Sequence, residues 1–203
     1  RFIKSDDSEV LFSDTITESI TINDLGGTPQ LTAGDFNNDG YDDLAVMGYH
    51  KVIGLYSNGL DDWSVDLVAN NLNGSTSAGF VNDDGSKEYF SSTTSETTQI
   101  NDLGGDPQLL SGDFNNDGYD DMAILGYHKV IAFYAGDTDE WTFDLVAKNL
   151  NSSGQAGFIN EDDTRTFFSD ATSESFTIND LGGDPQFASG DFNNDGYDDL
   201  IVG

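Results

Sequence analysis

The decapeptide Asp35-Phe36-Asn37-Asn38-Asp39-Gly40-Tyr41-Asp42-Asp43-Leu44 returns almost letter for letter at residues 113–122, where Met122 replaces the leucine, and at 191–200, each copy 78 residues after the one before. A chain that repeats a turn at a fixed interval builds one supersecondary unit several times over. Within the turn, oxygen-bearing side chains stand at relative positions 1, 3, 5 and 9 and glycine at 6. That spacing suits a loop wrapped around a hard cation such as Ca²⁺: the glycine takes a bend that a Cβ would obstruct, and residue 7 can lend its backbone carbonyl.

The twelfth position separates two kinds of calcium loop. Counting from Asp35 it is Val46, where an EF-hand requires a bidentate Glu. After each turn comes a short apolar run closed by Gly-Tyr, at residues 43–49 and 121–127, too short for a helix of three turns. The turn is therefore expected to join two strands.

One 78-residue unit accounts for the visible pattern. Asp24-Leu25-Gly26-Gly27 recurs at 102–105 and 180–183, Trp63 matches Trp141, and the first 25 residues match 157–181. A larger part of the unit reads as four strands, 29–36, 43–49, 51–57 and 63–69, and a smaller part as three, 77–81, 87–92 and 97–101, separated by Asn, Asp and Gly turns. Residues 1–25, 71–103 and 149–181 are then small halves; 26–70 and 104–148 are large halves, and 182–203 is the start of a third. The small half aligns without gaps on the large one, Ala78 on Ala33 and Gly85 on Gly40, so each unit is expected to hold two divergent copies of one blade. The first ligand position becomes Phe80, Phe158 or Phe2 in the small halves, and the ninth becomes Glu88, Thr166 or Val10. A phenyl ring cannot coordinate calcium, so metal is expected in the large halves and none in the small ones.

Across residues 34–46 the chain resembles the FG-GAP/VCBS repeat, known from integrin α-chain propellers and from bacterial and fungal surface proteins. The resemblance covers the large halves and reaches the small ones through their likeness to the large. It implies an all-β fold, a β-propeller or propeller segment of tandem antiparallel blades, with Ca²⁺ in the hairpin between the first two strands of a blade. It also implies the ligands: Asp35, Asn37, Asp39 and Asp43 with the carbonyl of Tyr41; Asp113, Asn115, Asp117, Tyr119 and Asp121; and Asp191, Asn193, Asp195, Tyr197 and Asp199. About one Ca²⁺ per large half, three in the chain, is expected, with a metal-free turn rich in Asp and Asn as the alternative. The 78-residue period is longer than one ordinary blade of the family, which leaves stacked, open and ring arrangements all available.

Seven Lys and Arg against 38 Asp and Glu give a net charge of -31, which makes nucleic acid and anionic membrane poor partners. With no cysteine, neither a disulfide framework nor a thiolate metal site can form. No run of about 18 apolar residues is present, so direct membrane insertion is not expected. The chain opens and stops in mid-pattern and is taken as a piece of a longer protein.

Catalytic parts are sparse. His50 and His128 occupy one repeat position, as befits a structural contact better than a catalytic base, and neither an HExxH nor a Gly-x-Ser-x-Gly pattern occurs. Trp63 and Trp141 read as packing residues between blades, with sugar stacking as the alternative. Asn73 and Asn151 begin sequons that would carry glycans in a eukaryotic secreted chain. The expected role is non-enzymatic: a secreted or surface-displayed, calcium-stabilised module for adhesion or recognition of protein or carbohydrate. The alternatives are a building block of an extracellular filament that binds copies of itself, and a rigid frame for a polysaccharide-acting enzyme.

Overall fold

The computed structural model describes residues 2–4, 6–10, 25, 28–48, 51–59, 63–72, 77–82, 85–90, 107–126, 129–136, 140–148, 150, 157–160, 164–167 and 186–202. His50, His128, Asn73, Asn151 and the strand expected at 97–101 lie outside them.

Among the described residues the regular structure is all β. The first two strands, β1 (Phe2–Ile3) and β2 (Glu9–Val10), pair with each other. A six-stranded antiparallel meander follows: β3 (Gln30–Gly34), β4 (Asp43–Met47), β5 (Lys51–Ser57), β6 (Trp63–Asn70), β7 (Gly79–Val81) and β8 (Lys87–Tyr89). The second unit repeats it with β9 (Gln108–Gly112), β10 (Asp121–Leu125), β11 (Lys129–Tyr134), β12 (Thr142–Lys148), β13 (Gly157–Ile159) and β14 (Arg165–Phe167). The third begins with the hairpin β15 (Phe187–Gly190) and β16 (Asp199–Val202). This is the antiparallel architecture expected of a propeller segment, and among the described residues its sheets do not close on themselves.

The repeated turn joins two strands, as its apolar sequel requires: Gly34 pairs with Asp43 and Gln30 with Met47 across it, and the second copy pairs Gly112 with Asp121. The expected four strands of the large half are present. Two of the three strands expected in the small half, β7 and β8, are described, and they continue the same ladder, Ala69 opposite Phe80 and Asn70 opposite Gly79. The expected division of a unit into two blades is thus crossed by hydrogen bonds. Continuing the sheet gives the end of β6 backbone partners that a sheet ending there would lack.

Period-two alternation places the core. In β10, Met122 and Ile124 face the first sheet, in one cluster with Phe36, Met47, Val52, Val68, Phe80 and Phe90. Ala123 and Leu125 face the other way, in a cluster with Phe114, Phe187 and Leu200. All five residues of β10 are buried, whereas in its repeat equivalent β4 buried residues alternate with half-buried ones. The second sheet is packed on both faces, so both of its side-chain rows leave water.

Aromatic rings from two units lock the first pair of sheets. Phe133 of β11 meets Phe80 of β7 edge-on at 5.0 Å, and Phe143 of β12 stacks on Phe90 at 4.6 Å and 17°. Trp141, buried as a packing residue, stands 6.0 Å from Phe36 of the preceding unit. Phe133 is fully buried and also touches Phe90 and Phe143. Phe133→Ala is expected to cost about 3–5 kcal/mol through the cavity it leaves, read as a lower denaturant midpoint with an unchanged slope.

Candidate metal centre

Each turn is knit by its own backbone. The N–H of Asp39 donates to Asp35 Oδ1 and to Asn37 Oδ1, both at 3.0 Å. The N–H of Gly40 reaches Asp35 Oδ2 at 2.8 Å, and that of Tyr41 reaches Asp39 Oδ1 at 3.0 Å. The second copy repeats every bond: Asp117 N–H to Asp113 Oδ1 and Asn115 Oδ1 at 3.0 Å, Gly118 to Asp113 at 3.0 Å, and Tyr119 to Asp117 at 2.9 Å. So does the third, through Asp191, Asn193, Asp195, Gly196 and Tyr197. The turn bends through left-handed residues, Asn38 at φ 55° and Gly40 at φ 89°, with matching values at Asn116, Gly118, Asn194 and Gly196. Asparagine and glycine tolerate that region best, which accounts for their places in the motif.

The ninth residue lies beneath the turn. Asp43 is fully buried, its Oδ2 accepting from the N–H of Phe36 at 3.2 Å and its Oδ1 from that of Ser57 at 2.7 Å. Asp121 does the same with Phe114 at 3.1 Å and Ala135 at 2.9 Å, and Asp199 accepts from Phe192 at 3.2 Å. Burial pushes the Asp43 carboxyl up to about 6, and repulsion from Asp39 and Asp35 adds to it against the pull of the two N–H groups. The Asp121 carboxyl rises to about 7 for the same reasons, with Asp117 and Asp113 as its like-charged neighbours. Ionised carboxylates gathered around a buried one repel each other, and a divalent cation offsets that repulsion.

The structure therefore brings each predicted ligand set onto one turn, Asp, Asn and Asp on its rim and Asp below. The oxygens engaged by N–H groups keep further lone pairs. Aspartate, asparagine and main-chain carbonyl oxygens are the hard donors that Ca²⁺ takes, so the residues present fit that ion. Among the described residues, no three His, Cys, Asp or Glu side chains form a metal-holding cluster by themselves. Asparagine and carbonyl oxygens would have to complete the set.

Sequence reasoning missed the eighth residue. Asp120 reaches back to the first unit: its Oδ2 accepts from the N–H of Asp35 at 2.9 Å, and its own N–H donates to the Asp35 carbonyl at 3.0 Å. Asp198 does the same to Asp113, at 3.2 and 3.0 Å. Burial raises the Asp120 carboxyl, with Asp198, Asp113 and Asp35 as like charges. The available signal was its recurrence in all three copies at a position the ligand pattern does not use.

The model of the FG-GAP repeat family matches residues 28–59 and 185–203, which hold the first and third turns. No curated protein and no solved structure matches the chain.

Asp121→Ala strands two N–H groups, those of Phe114 and Ala135, and each costs about 1–3 kcal/mol when left without an acceptor. A fall in stability of about 2–6 kcal/mol is expected, measured by urea unfolding of metal-free protein so that loss of an ion does not contribute.

Proposed function

Because the chain carries FG-GAP repeats at residues 28–59 and 185–203, we propose that it is a calcium-binding β-propeller module of a secreted or surface-displayed protein, and that its task is adhesion or recognition. The observation that carries the reading is the threefold recurrence of one turn geometry, with Asp, Asn and Asp oxygens on its rim and a buried or half-buried Asp beneath. Asp35, Asn37, Asp39, Tyr41 and Asp43, with their equivalents in the second and third copies, would hold the ions. Each ion supplies positive charge where three carboxylates of one turn repel and ties the hairpin shut. Its role is structural, and the module is not an enzyme in this reading.

The ligand is an extracellular protein or a carbohydrate. Near-identical units present the same surface several times, so weak contacts act together through effective concentration. A net charge of -31 directs the choice away from nucleic acid and anionic lipid.

Metal counting by native mass spectrometry, paired with thermal unfolding in millimolar calcium and in excess EGTA, tests the reading. About three Ca²⁺ per chain are expected, with a large fall in melting temperature on chelation; a site saturated a hundredfold above its Kd contributes about 2.7 kcal/mol. Asp117→Ala should remove about one ion and leave the others. A chain without bound metal, melting identically in both buffers, would mean that the three turns are bare Asx turns.

A further inference from the structure

Consecutive turns touch one another, and the contact is built alike at two junctions, both of which lie wholly inside the chain. Asp35, the first residue of its turn, is held from two sides. Its carboxylate accepts from the N–H groups of Asp39 and Gly40 within the same turn. Its main chain is held by the next turn: the Asp35 N–H donates to Asp120 Oδ2 at 2.9 Å, and the Asp35 carbonyl accepts from the N–H of Asp120 at 3.0 Å. Asp198 holds Asp113 in the same way, at 3.2 and 3.0 Å. A notch admits the clasping side chain: a Cβ on Gly34 would stand 2.6 Å from Asp120 Oδ2, and one on Gly112 would stand 2.5 Å from Asp198 Oδ2.

A second contact links the bends themselves. A Cβ on Gly118 would stand 3.4 Å from Asn38 Nδ2, and one on Gly196 would stand 3.1 Å from Asn116 Nδ2. The left-handed fourth residue of one turn thus lies against the left-handed sixth residue of the next.

Asp120 sits in sequence between Tyr119 and Asp121, the seventh and ninth positions of its own turn. Whatever fixes those two positions fixes Asp120 and, through one carboxylate, the first position of the turn before. Cations held by neighbouring turns would repel each other. The Asp120 carboxylate is near enough to those of Asp35 and Asp113 to act on both as a like charge, so it offsets that repulsion.

We propose that Asp120 and Asp198 are positioning residues that couple neighbouring turns, so that a turn holding its ion favours the holding of an ion by the turn before it and, by reciprocity, by the turn after it. The inference rests on the calcium reading and goes beyond it: neither residue belongs to the predicted ligand sets, and the three sites fill together instead of independently.

Native mass spectra of the full chain, recorded through the midpoint of calcium loading, test it. In the parent, chains with no ion and with three should exceed the proportions of independent sites, and chains with one or two should fall below them. Sites of unequal affinity would shift the proportions the opposite way. Replacing both residues by alanine should restore independent loading, and Gly34→Ala, which fills the notch and alters no ligand, should uncouple the first two turns. Replacing both by asparagine keeps an acceptor for each N–H and should keep the joint loading even where overall affinity falls. At saturation Asp117→Ala loses only its own ion, but the other two should need about fivefold more calcium than in the parent, the low end of ordinary coupling. Amide exchange in EGTA reads the clasp without any ion: the alanine pair should speed exchange at Asp39, Gly40, Asp117 and Gly118 about tenfold, as loss of one hydrogen bond to a charged group does.

Independent loading in the parent, alanine variants that load or exchange as the parent does, or asparagine variants that behave as the alanine ones would overturn the proposal. A chain that takes up no calcium at any concentration overturns the calcium reading and this inference with it, whereas independent loading overturns this inference alone.

Discussion

The carboxylate of the ninth turn residue ties the repeated turn to the strands around it. Asp43 begins β4, accepts from Phe36 two residues past β3, and accepts again from Ser57 at the end of β5. One side chain thus fixes the turn, the start of the second strand and the end of the third. With its N–H held, Phe36 lies buried under Trp141 of the next unit. The arrangement places a charge-bearing group out of water among like charges, which is costly unless hydrogen bonds and an opposite charge compensate. The hydrogen bonds are present, and the opposite charge is what the oxygen-rich rim above the buried carboxylate is suited to bind.

From that anchor the units stack. Each sheet presents two apolar rows, and a neighbour covers one of them, so the middle sheet of the chain has both rows buried while the outer sheets keep one row partly in water. Residues of near-identical sequence accordingly have different environments: Leu31 is exposed and Leu109 buried. Edge strands β3, β9 and β15 lie side by side, linked by serine hydroxyls and aspartate clasps in place of a backbone ladder. An edge strand bridged by side chains is protected from indiscriminate pairing, and the specificity of the junction passes to the residues that make the clasp.

The Asp- and Asn-rich turns gather at the junctions between units, so ordering a turn and ordering a junction are coupled: Asp35, a rim residue of one turn, exchanges two hydrogen bonds with Asp120, flanked in the next by two of the predicted ligands. The strands β7 and β8 of the first six-stranded sheet, and β13 and β14 of the second, sit at the edge away from the clasp. Recognition by such a module would follow from repetition of that outer surface, with rigidity supplied by the junctions.

The repeat period, the strand-joining character of the turn, the four strands of the large half and their antiparallel pairing could all be read from residue order, because each depends on local chemistry: glycine and asparagine at left-handed positions and alternation of apolar residues. The role of Trp141 in packing was legible for the same reason. Tertiary structure alone decided that the small-half strands extend the sheet of the large half, that Phe80, Phe90 and Phe133 meet across units, and that Asp120 and Asp198 clasp the preceding turn. Those contacts join residues up to 85 positions apart, and a chain whose units are nearly alike carries no local mark of which copy faces which. Where a unit stands in the stack determines whether the same side chain is core or surface.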